Sequence, residues 1–347
     1  MSIALKPSPL MPWMHNQWQQ WCQLSDHLGH AYLLSGPKGI GIESFVDAAV
    51  QKRLCLQPNT DGACQQCQGC HLLQGHQHPD YYHLTRLEDK KDITVDQVRG
   101  LLHKLNETSH QGGYKVTWVE GVEFMNSSAF NALLKTLEEP ADNTLFLLTT
   151  HEIGRLPATI KSRCQQLNFT PPVLPDAVNW LHQAAPQVDL KLVKRALRLN
   201  WGAPLQALQW IEEGKFEEDA QWKEGLKQLQ SGRKTVSQIV AEWLKWSSPV
   251  SVFDYFYQWS VSAVRSVTYQ SHESPSWAAN LTAEQSLQLQ NWLRFQQATL
   301  QAKEHWLSNA NKELVLETLC LEWLEVQQIA EPFQSIFQSK LQKGTLP

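Results

Sequence analysis

Leu33-Leu-Ser-Gly-Pro-Lys-Gly-Ile-Gly-Ile-Glu-Ser-Phe45 (LLSGPKGIGIESF) joins a short apolar run to a helical pattern through a glycine-rich turn. A phosphate-binding loop has the form G-x-x-x-x-G-K-[ST] between a strand and a helix. Gly36 and Gly41 stand in that register, but the lysine position holds Ile42 and the Ser/Thr position holds Glu43. In a working loop, backbone N–H groups cradle the phosphates, the lysine neutralises them and the hydroxyl holds Mg²⁺. Ile42 can do neither job, and Glu43 sets negative charge where a triphosphate would lie. Lys38 sits inside the loop, not in the first helical turn, so it does not replace the lost lysine.

Two glycines at this spacing occur by chance, so a second strand has to support the reading. Lys115–Met125 (KVTWVEGVEFM) carries the pattern of a Walker B strand, which ends in Asp-Glu in an active ATPase. Here the Asp position is Glu120 and the catalytic-base position is Gly121. Without that base no side chain polarises an attacking water. The expectation is a buried strand over 116–120 and no ATP hydrolysis.

Around these segments, apolar runs alternate with helical patterns. The runs are Ala31–Ser35, Tyr82–Thr85, Val116–Glu120, Leu145–Thr150 and Gln165–Phe169, with helices expected over 42–54, 94–106 and 127–139. Such alternation favours a parallel sheet flanked by helices. In the last of these helices Phe130, Leu133, Leu134 and Leu137 fall on one face, and Pro140 ends it. The Pro-rich FTPPVLP at 169–175 marks a domain boundary. Beyond it the strand signals fade. Short helices are expected over 176–212 and an all-helical region over 213–347. One helix there starts at Thr282 with Gln285 in a capping-box pattern. Another runs from about Lys312, with Leu316, Leu319, Trp323 and Val326 on its core face.

The bulk numbers set outer limits. A chain of 347 residues holds two or three domains, and 42% apolar content is ample for their cores. A net charge of -4 gives no overall basic field for nucleic acid, although local patches remain open. The 15 tryptophans and the many glutamines have no mechanism in the sequence alone. The first 18 residues are broken by Pro7, Pro9 and Pro12 and do not read as a signal peptide. No stretch approaches the roughly 18 apolar residues of a membrane span. Seven cysteines without an export signal suggest a reducing cytoplasm, where clustered cysteines point to metal.

FNALLKTLEEP (130–140) and LPATIKSRCQQ (156–166) resemble signature segments of the bacterial DNA polymerase III clamp-loader family of AAA+ proteins. ITVDQVR (93–99), PW (12–13) and HAYLLSGPKGIG (30–41) agree with it. The resemblance is strong over residues 1–210 and looser beyond, through NANKELVLETL (309–319). It implies a RecA-like AAA+ domain over 1–168, a small helical lid domain over 169–212 and a helical collar, or oligomerisation, domain over 213–347. Active members carry a lid arginine that touches ATP in a G-x-x-R-x-A-L segment. Here GAPLQAL (202–208) has Leu205 at that place. The lysine, the acid pair and the lid arginine are thus all replaced. Within the family this resembles the subunit that does not hydrolyse ATP, not the gamma/tau ATPase. Ser162-Arg163-Cys164 matches the family's SRC motif, whose arginine reaches into the ATP site of the neighbouring subunit. The resemblance therefore implies a ring with gamma/tau and delta subunits that opens the beta sliding clamp and places it on primed DNA. Arg163 would act in trans, and this chain would bind no ATP.

Cys55, Cys64, Cys67 and Cys70 form C-x₈-C-x₂-C-x₂-C. Four thiolates complete a tetrahedral Zn²⁺ site, and the x₂ spacings let neighbouring sulfurs face one metal. The resemblance implies a similar zinc module at this place. CQGCH (67–71) is also a haem-attachment pattern, and a redox C-x-x-C is conceivable, but each leaves two of the four cysteines unexplained. His71, His76 and His78 read as solvated loop histidines outside the metal site. Cys22, Cys164 and Cys320 read as structural. Residues 55–80 hold no Lys or Arg, which favours a structural knob over a nucleic-acid-binding ribbon. Two other readings stay open: an active gamma/tau-like ATPase, and a zinc-dependent DNA-binding protein on a relic ATPase fold. Nucleotide binding separates the first, and salt-dependent DNA affinity the second.

Overall fold

The computed structural model describes residues 10–24, 28–87, 90–269, 282–308 and 310–328. The chain divides into two compact units, residues 1–209 and 210–347.

The first unit is built on a five-stranded parallel sheet. Its strands are β1 (Ala31–Ser35), β2 (Tyr81–Leu84), β3 (Lys115–Val119), β4 (Thr144–Thr150) and β5 (Gln165–Asn168), in the order β2-β3-β4-β1-β5. Every expected strand is present within one residue of its expected ends. The helices are α1 (His15–Gln23), α2 (Ile42–Leu54), α3 (Gln68–Gln74), α4 (Val95–Leu105), α5 (Ser127–Glu138), α6 (Ala158–Lys161), α7 (Leu174–Ala184), α8 (Leu190–Leu199) and α9 (Pro204–Glu212), the last reaching past residue 209. α1, α3 and the short α6 were not among the helices named from the sequence.

Strand periodicity sorts the core into two layers, because successive side chains leave opposite faces of a sheet. Tyr32 and Leu34 of β1, with Leu145 and Leu147 of β4, pack against Met14, Trp18 and Trp21 and against α2. Ala31 and Leu33, with Phe146 and Leu148, pack against α4, α5 and Ile160 of α6. β1, β3 and β4 are buried along their whole length. That is the pattern of a parallel sheet covered on both faces. Thr94 and Gln97 form a capping box at the start of α4, and Asn126 accepts from Ala129 N (2.8 Å) at the start of α5. The parallel order brings the C-terminal ends of β1, β3 and β4 together, and the loop after β1 lies there. Open α/β sheets place their sites at that edge.

The second unit holds α10 (Phe216–Gln230), α11 (Val236–Trp243), α12 (Ser251–Tyr269), α13 (Ala283–Leu307) and α14 (Lys312–Gln328). The Thr282–Gln285 capping box is formed, and Leu316, Leu319, Trp323 and Val326 are buried. Here the tryptophans acquire a role. Trp222, Trp243 and Trp323 are all but fully buried around Phe256, at ring-centroid distances of 5.4, 6.0 and 6.2 Å. Such aromatic pairs add to the apolar area they remove from water.

Candidate functional site

The glycine loop is folded, but other parts of the chain fill it. Gly41 caps α2 with φ 92°, and Gly39 has φ 80°, conformations that favour glycine. A Cβ on Gly41 would lie 2.7 Å from Met11 Cγ and 3.4 Å from Leu205 Cδ1. A Cβ on Gly39 would lie 2.6 Å from Gln206 Cβ. Leu205 N, at the start of α9, donates to Gly39 O (3.0 Å), and Trp13 Nε1 donates to Ile40 O (2.9 Å). Ile42 is fully buried, and its Cδ1 would be 3.1 Å from a Cβ on Gly36. Gly36, Gly41, Ile42, Glu43 and Leu205 are therefore brought together at the loop, with Ile42 in the core and Leu205 against Gly41.

Glu43 has a partner within the chain. Its Oε1 lies 3.3 Å from His151 Nε2, while His151 Nδ1 donates to Gly36 O (3.0 Å). His151 N donates to Glu123 Oε1 (3.0 Å). The Glu43 bond raises the His151 pKa. Burial pushes the Glu43 carboxyl up, but the bond to His151, a backbone N–H and the nearby charges outweigh it and hold the pKa down. The pair ties the first turn of α2 to the end of β4.

The Walker B position is also occupied by an internal pair. Glu120 Oε2 lies 2.9 Å from His83 Nε2, and the His83 ring stacks on Trp118 at 4.4 Å between centroids. Gly121 has φ 67°, and a Cβ there would lie 2.7 Å from Phe124 Cδ2. On α2, burial pushes the Asp47 carboxyl up to about 6; His83 pulls it down, while Glu120 and Glu43 push it further up. Three carboxyl groups thus share the electrostatic surroundings of this edge. Sequence reading missed His151, Asp47, Met11 and Gln206 as parts of the site. His151 directly follows the β4 apolar run, but only the strand order shows that β4 lies beside β1.

The four cysteines converge. Sulfur separations are 3.5 Å for Cys55–Cys64, 3.8 Å for Cys55–Cys67, 3.5 Å for Cys67–Cys70 and 4.0 Å for Cys64–Cys70, and all four sulfurs lie within 4.8 Å of one another. A tetrahedral Zn²⁺ with Zn–S bonds of ~2.3 Å needs sulfurs about 3.8 Å apart, so the donor set and its size fit. Leu56 N donates to Cys67 Sγ and Cys64 N to Cys55 Sγ, both at 3.3 Å. Burial pushes the Cys67 thiol up, but backbone N–H groups of Cys70 and Leu56 outweigh it and bring it down to about 6. Gly69 is needed where α3 meets the end of α2, because a Cβ would lie 2.4 Å from Leu54 O. One expectation is corrected. His78 is buried rather than solvated, because it lies under the module with Nδ1 accepting from Asp80 N (3.2 Å). His71 lies in α3 and is exposed, as is His76.

Arg163 lies beyond α6 and is bonded within the chain. Its Nε donates to Glu138 Oε1 (2.7 Å), its Nη2 meets the same oxygen, and Nη1 donates to Thr159 O (3.0 Å). The side chains of Arg163 and Glu138 are 31% and 49% exposed, so the pair is open to solvent.

A five-stranded parallel sheet in this order, with a glycine loop between β1 and α2, defines a RecA-like AAA+ fold. A family model described as DNA polymerase III, delta subunit, matches residues 13–173. The DNA polymerase III subunit delta' of Pseudomonas aeruginosa is 35% identical over 324 residues, covering 90% of this chain and 97% of that one. The subunit delta' of Haemophilus influenzae is 42% identical across 60% of this chain and 64% of its own, and that of Escherichia coli 42% across 52% and 53%. The chain belongs to the DNA polymerase III subunit delta' family. No helix among the described residues is long and apolar enough to cross a membrane.

Proposed function

We propose that this chain is a non-catalytic clamp-loader subunit. It assembles with gamma/tau and delta subunits into the ring that places the beta sliding clamp on primed DNA. The observation that carries this reading is the self-filled loop. Leu205, Met11 and Gln206 pack on its glycines, and Glu43 is paired with His151. An ATPase cannot use a pocket whose lysine and arginine are replaced by an isoleucine and a leucine and whose Mg²⁺-holding hydroxyl is replaced by a paired carboxylate. We read residues 1–168 as the AAA+ domain, 169–212 as the lid and 213–347 as the collar. Zn²⁺ on Cys55, Cys64, Cys67 and Cys70 would crosslink the segment after α2, holding its fold rather than doing chemistry.

Arg163 is the group we assign to work in trans. Phosphoryl transfer builds charge on equatorial oxygens, and a guanidinium offers fixed donors matched to phosphate. Its exposed pairing with Glu138 costs little to break, so a neighbour's phosphate can take the carboxylate's place. The test is reconstitution. The chain is mixed with gamma/tau and delta, the complex is isolated, and its DNA-stimulated ATPase and clamp loading are measured. A chain that joins no complex, or that hydrolyses ATP alone, would sink this reading.

A further inference from the structure

α8 stands out by charge. Lys191, Lys194, Arg195 and Arg198 lie on ten residues, and no Asp or Glu occurs between residues 190 and 211, although the chain as a whole carries a net charge of -4. The helix is sharply two-sided. Val193, Ala196, Leu197 and Leu199 are buried, while Lys191, Lys194 and Arg198 are exposed. These three sit at i, i+3 and i+7, one face of a helix. At 1.5 Å per residue they span about 10.5 Å along the helix, a continuous cationic row against which a phosphate backbone can lie. The acid at the helix start, Asp189, is used as its cap and accepts from Lys191 N (2.6 Å).

A second feature adjoins the stripe. Trp201 is 52% exposed, with φ 56°. A bulky residue in the left-handed region is uncommon. Here Trp201 N bonds back to Arg198 O and Gly202 N to Leu197 O, so the turn that ends α8 sets an indole at the end of the cationic row. A row of cations tracking phosphates, with an aromatic face for bases, is how proteins bind single strands without reading sequence.

We propose that the α8 face, through Lys191, Lys194, Arg198 and Trp201, binds a single nucleic-acid strand by its phosphates and one stacked base. None of these residues belongs to the glycine loop, the thiolate group or the Arg163 pair, so this binding stands or falls apart from the ATPase reading. Nor does it use the cysteine module, which lacks cations.

The test uses the full chain and a fluorescein-labelled 20-nucleotide oligothymidylate, with anisotropy titrations from 50 to 200 mM salt. Wild type binds with an affinity that falls with salt. The triple variant Lys191→Ala/Lys194→Ala/Arg198→Ala loses about 2 from the log–log salt slope, at ~0.7 per cation, and on the order of 100-fold in affinity at 0.1 M salt. Lys194→Gln alone loses about 0.7 of slope. Trp201→Ala weakens binding by roughly 5- to 150-fold and leaves the slope unchanged. Melting curves of each variant confirm folding. Equal binding by wild type and triple variant overturns the proposal. So does binding lost in Cys67→Ser but kept in the triple variant. Failure of wild type to bind the oligonucleotide while it binds poly-glutamate also overturns it, and makes the face a dock for an acidic protein.

Discussion

Restoring the missing lysine, Ile42→Lys, is the sharpest probe of the shut pocket. Ile42 is fully buried, against Ile40 and under the loop at Gly36. Emptying such a site of its isoleucine costs about 2–5 kcal/mol. The lysine stem recovers part of that, but burying its ammonium in place of a methyl carries a desolvation cost, so it must reach a charged partner or water or lose its proton. A net loss of about 3 kcal/mol is expected. For a domain of roughly 200 residues that lowers Tm by about 6–12 °C. Nucleotide binding is not expected in return. The glycines still carry Met11, Leu205 and Gln206, and Glu43 still holds His151. Adding Gly121→Glu to supply the base does not help, because the new Cβ needs φ 67° and meets the Phe124 ring at 2.7 Å. The assays are a melting curve and a titration with a fluorescent ATP analogue, with Mg²⁺. Saturable micromolar binding by Ile42→Lys, with unchanged Tm, would refute the view that the pocket is filled by its own chain.

Three further outcomes follow from the same geometry. Metal analysis of protein purified without added metal gives one Zn²⁺ per chain, and Cys67→Ser lowers that content; structural zinc sites bind with about 10–16 kcal/mol in zinc-finger peptides, so full occupancy in the variant contradicts the assignment. Arg163→Ala costs at most about 1 kcal/mol of stability, because its ion pair is solvent-exposed, yet it lowers the DNA-stimulated ATPase of the assembled ring; at the site it borders the loss is roughly 10³–10⁵, and unchanged rates in a complete ring make Arg163 purely structural. The Glu43–His151 pair has a pH window. Glu43 is depressed from 4.5, so its stabilisation is present above that value and lost as pH falls through the folded pKa; His151 is raised from 6.5, so its share is present below that value and lost as pH rises through the folded pKa. The Tm difference between wild type and Glu43→Gln is therefore largest between about pH 4.5 and 6.5 and shrinks towards pH 8, whereas a difference that grows on that alkaline side is incompatible with the pair.

The centre of the sheet was legible because β1, β3 and β4 are buried along their whole length, whereas the edge strands β2 and β5 are more exposed and β5 is largely polar. Buried parallel strands read as continuous runs, and that code is local. The thiolate group was legible for a similar reason. Its spacing places Cys70 in the first turn of α3, Cys67 at that helix's N-cap and the other two on the adjoining chain, and the sulfurs need only a short loop to meet. α1 was harder. Its pattern is Gln- and Trp-rich with little charge, and its face is apolar only through Trp18 and Trp21. His78 was misjudged because its neighbours in sequence are polar, while its burial comes from contact with Gly69 and Asp80.

The loop shows where local reading stops. From the sequence it was a phosphate loop without its lysine, and the structure shows what packs around the residues that stand there. What fills the space lies far away in the chain: Met11 before α1, His151 after β4, and Leu205 with Gln206 at the start of α9. No periodicity joins these positions. They meet because the parallel order sets β4 beside β1, and because α9 starts with its N–H against Gly39 O. Each substitution then makes sense with the others. With leucine in place of arginine at position 205, the start of α9 can pack on the glycines. With isoleucine in place of lysine at 42, the first turn of α2 can join the core. With a carboxylate at 43, the turn gains a tie to β4 through His151. Reverting one residue leaves the contacts of the others in place, so no single reversion is expected to open the loop. The loop keeps its glycines because Gly39 and Gly41 hold left-handed backbone and because Met11, Leu205 and Gln206 approach them too closely for a Cβ.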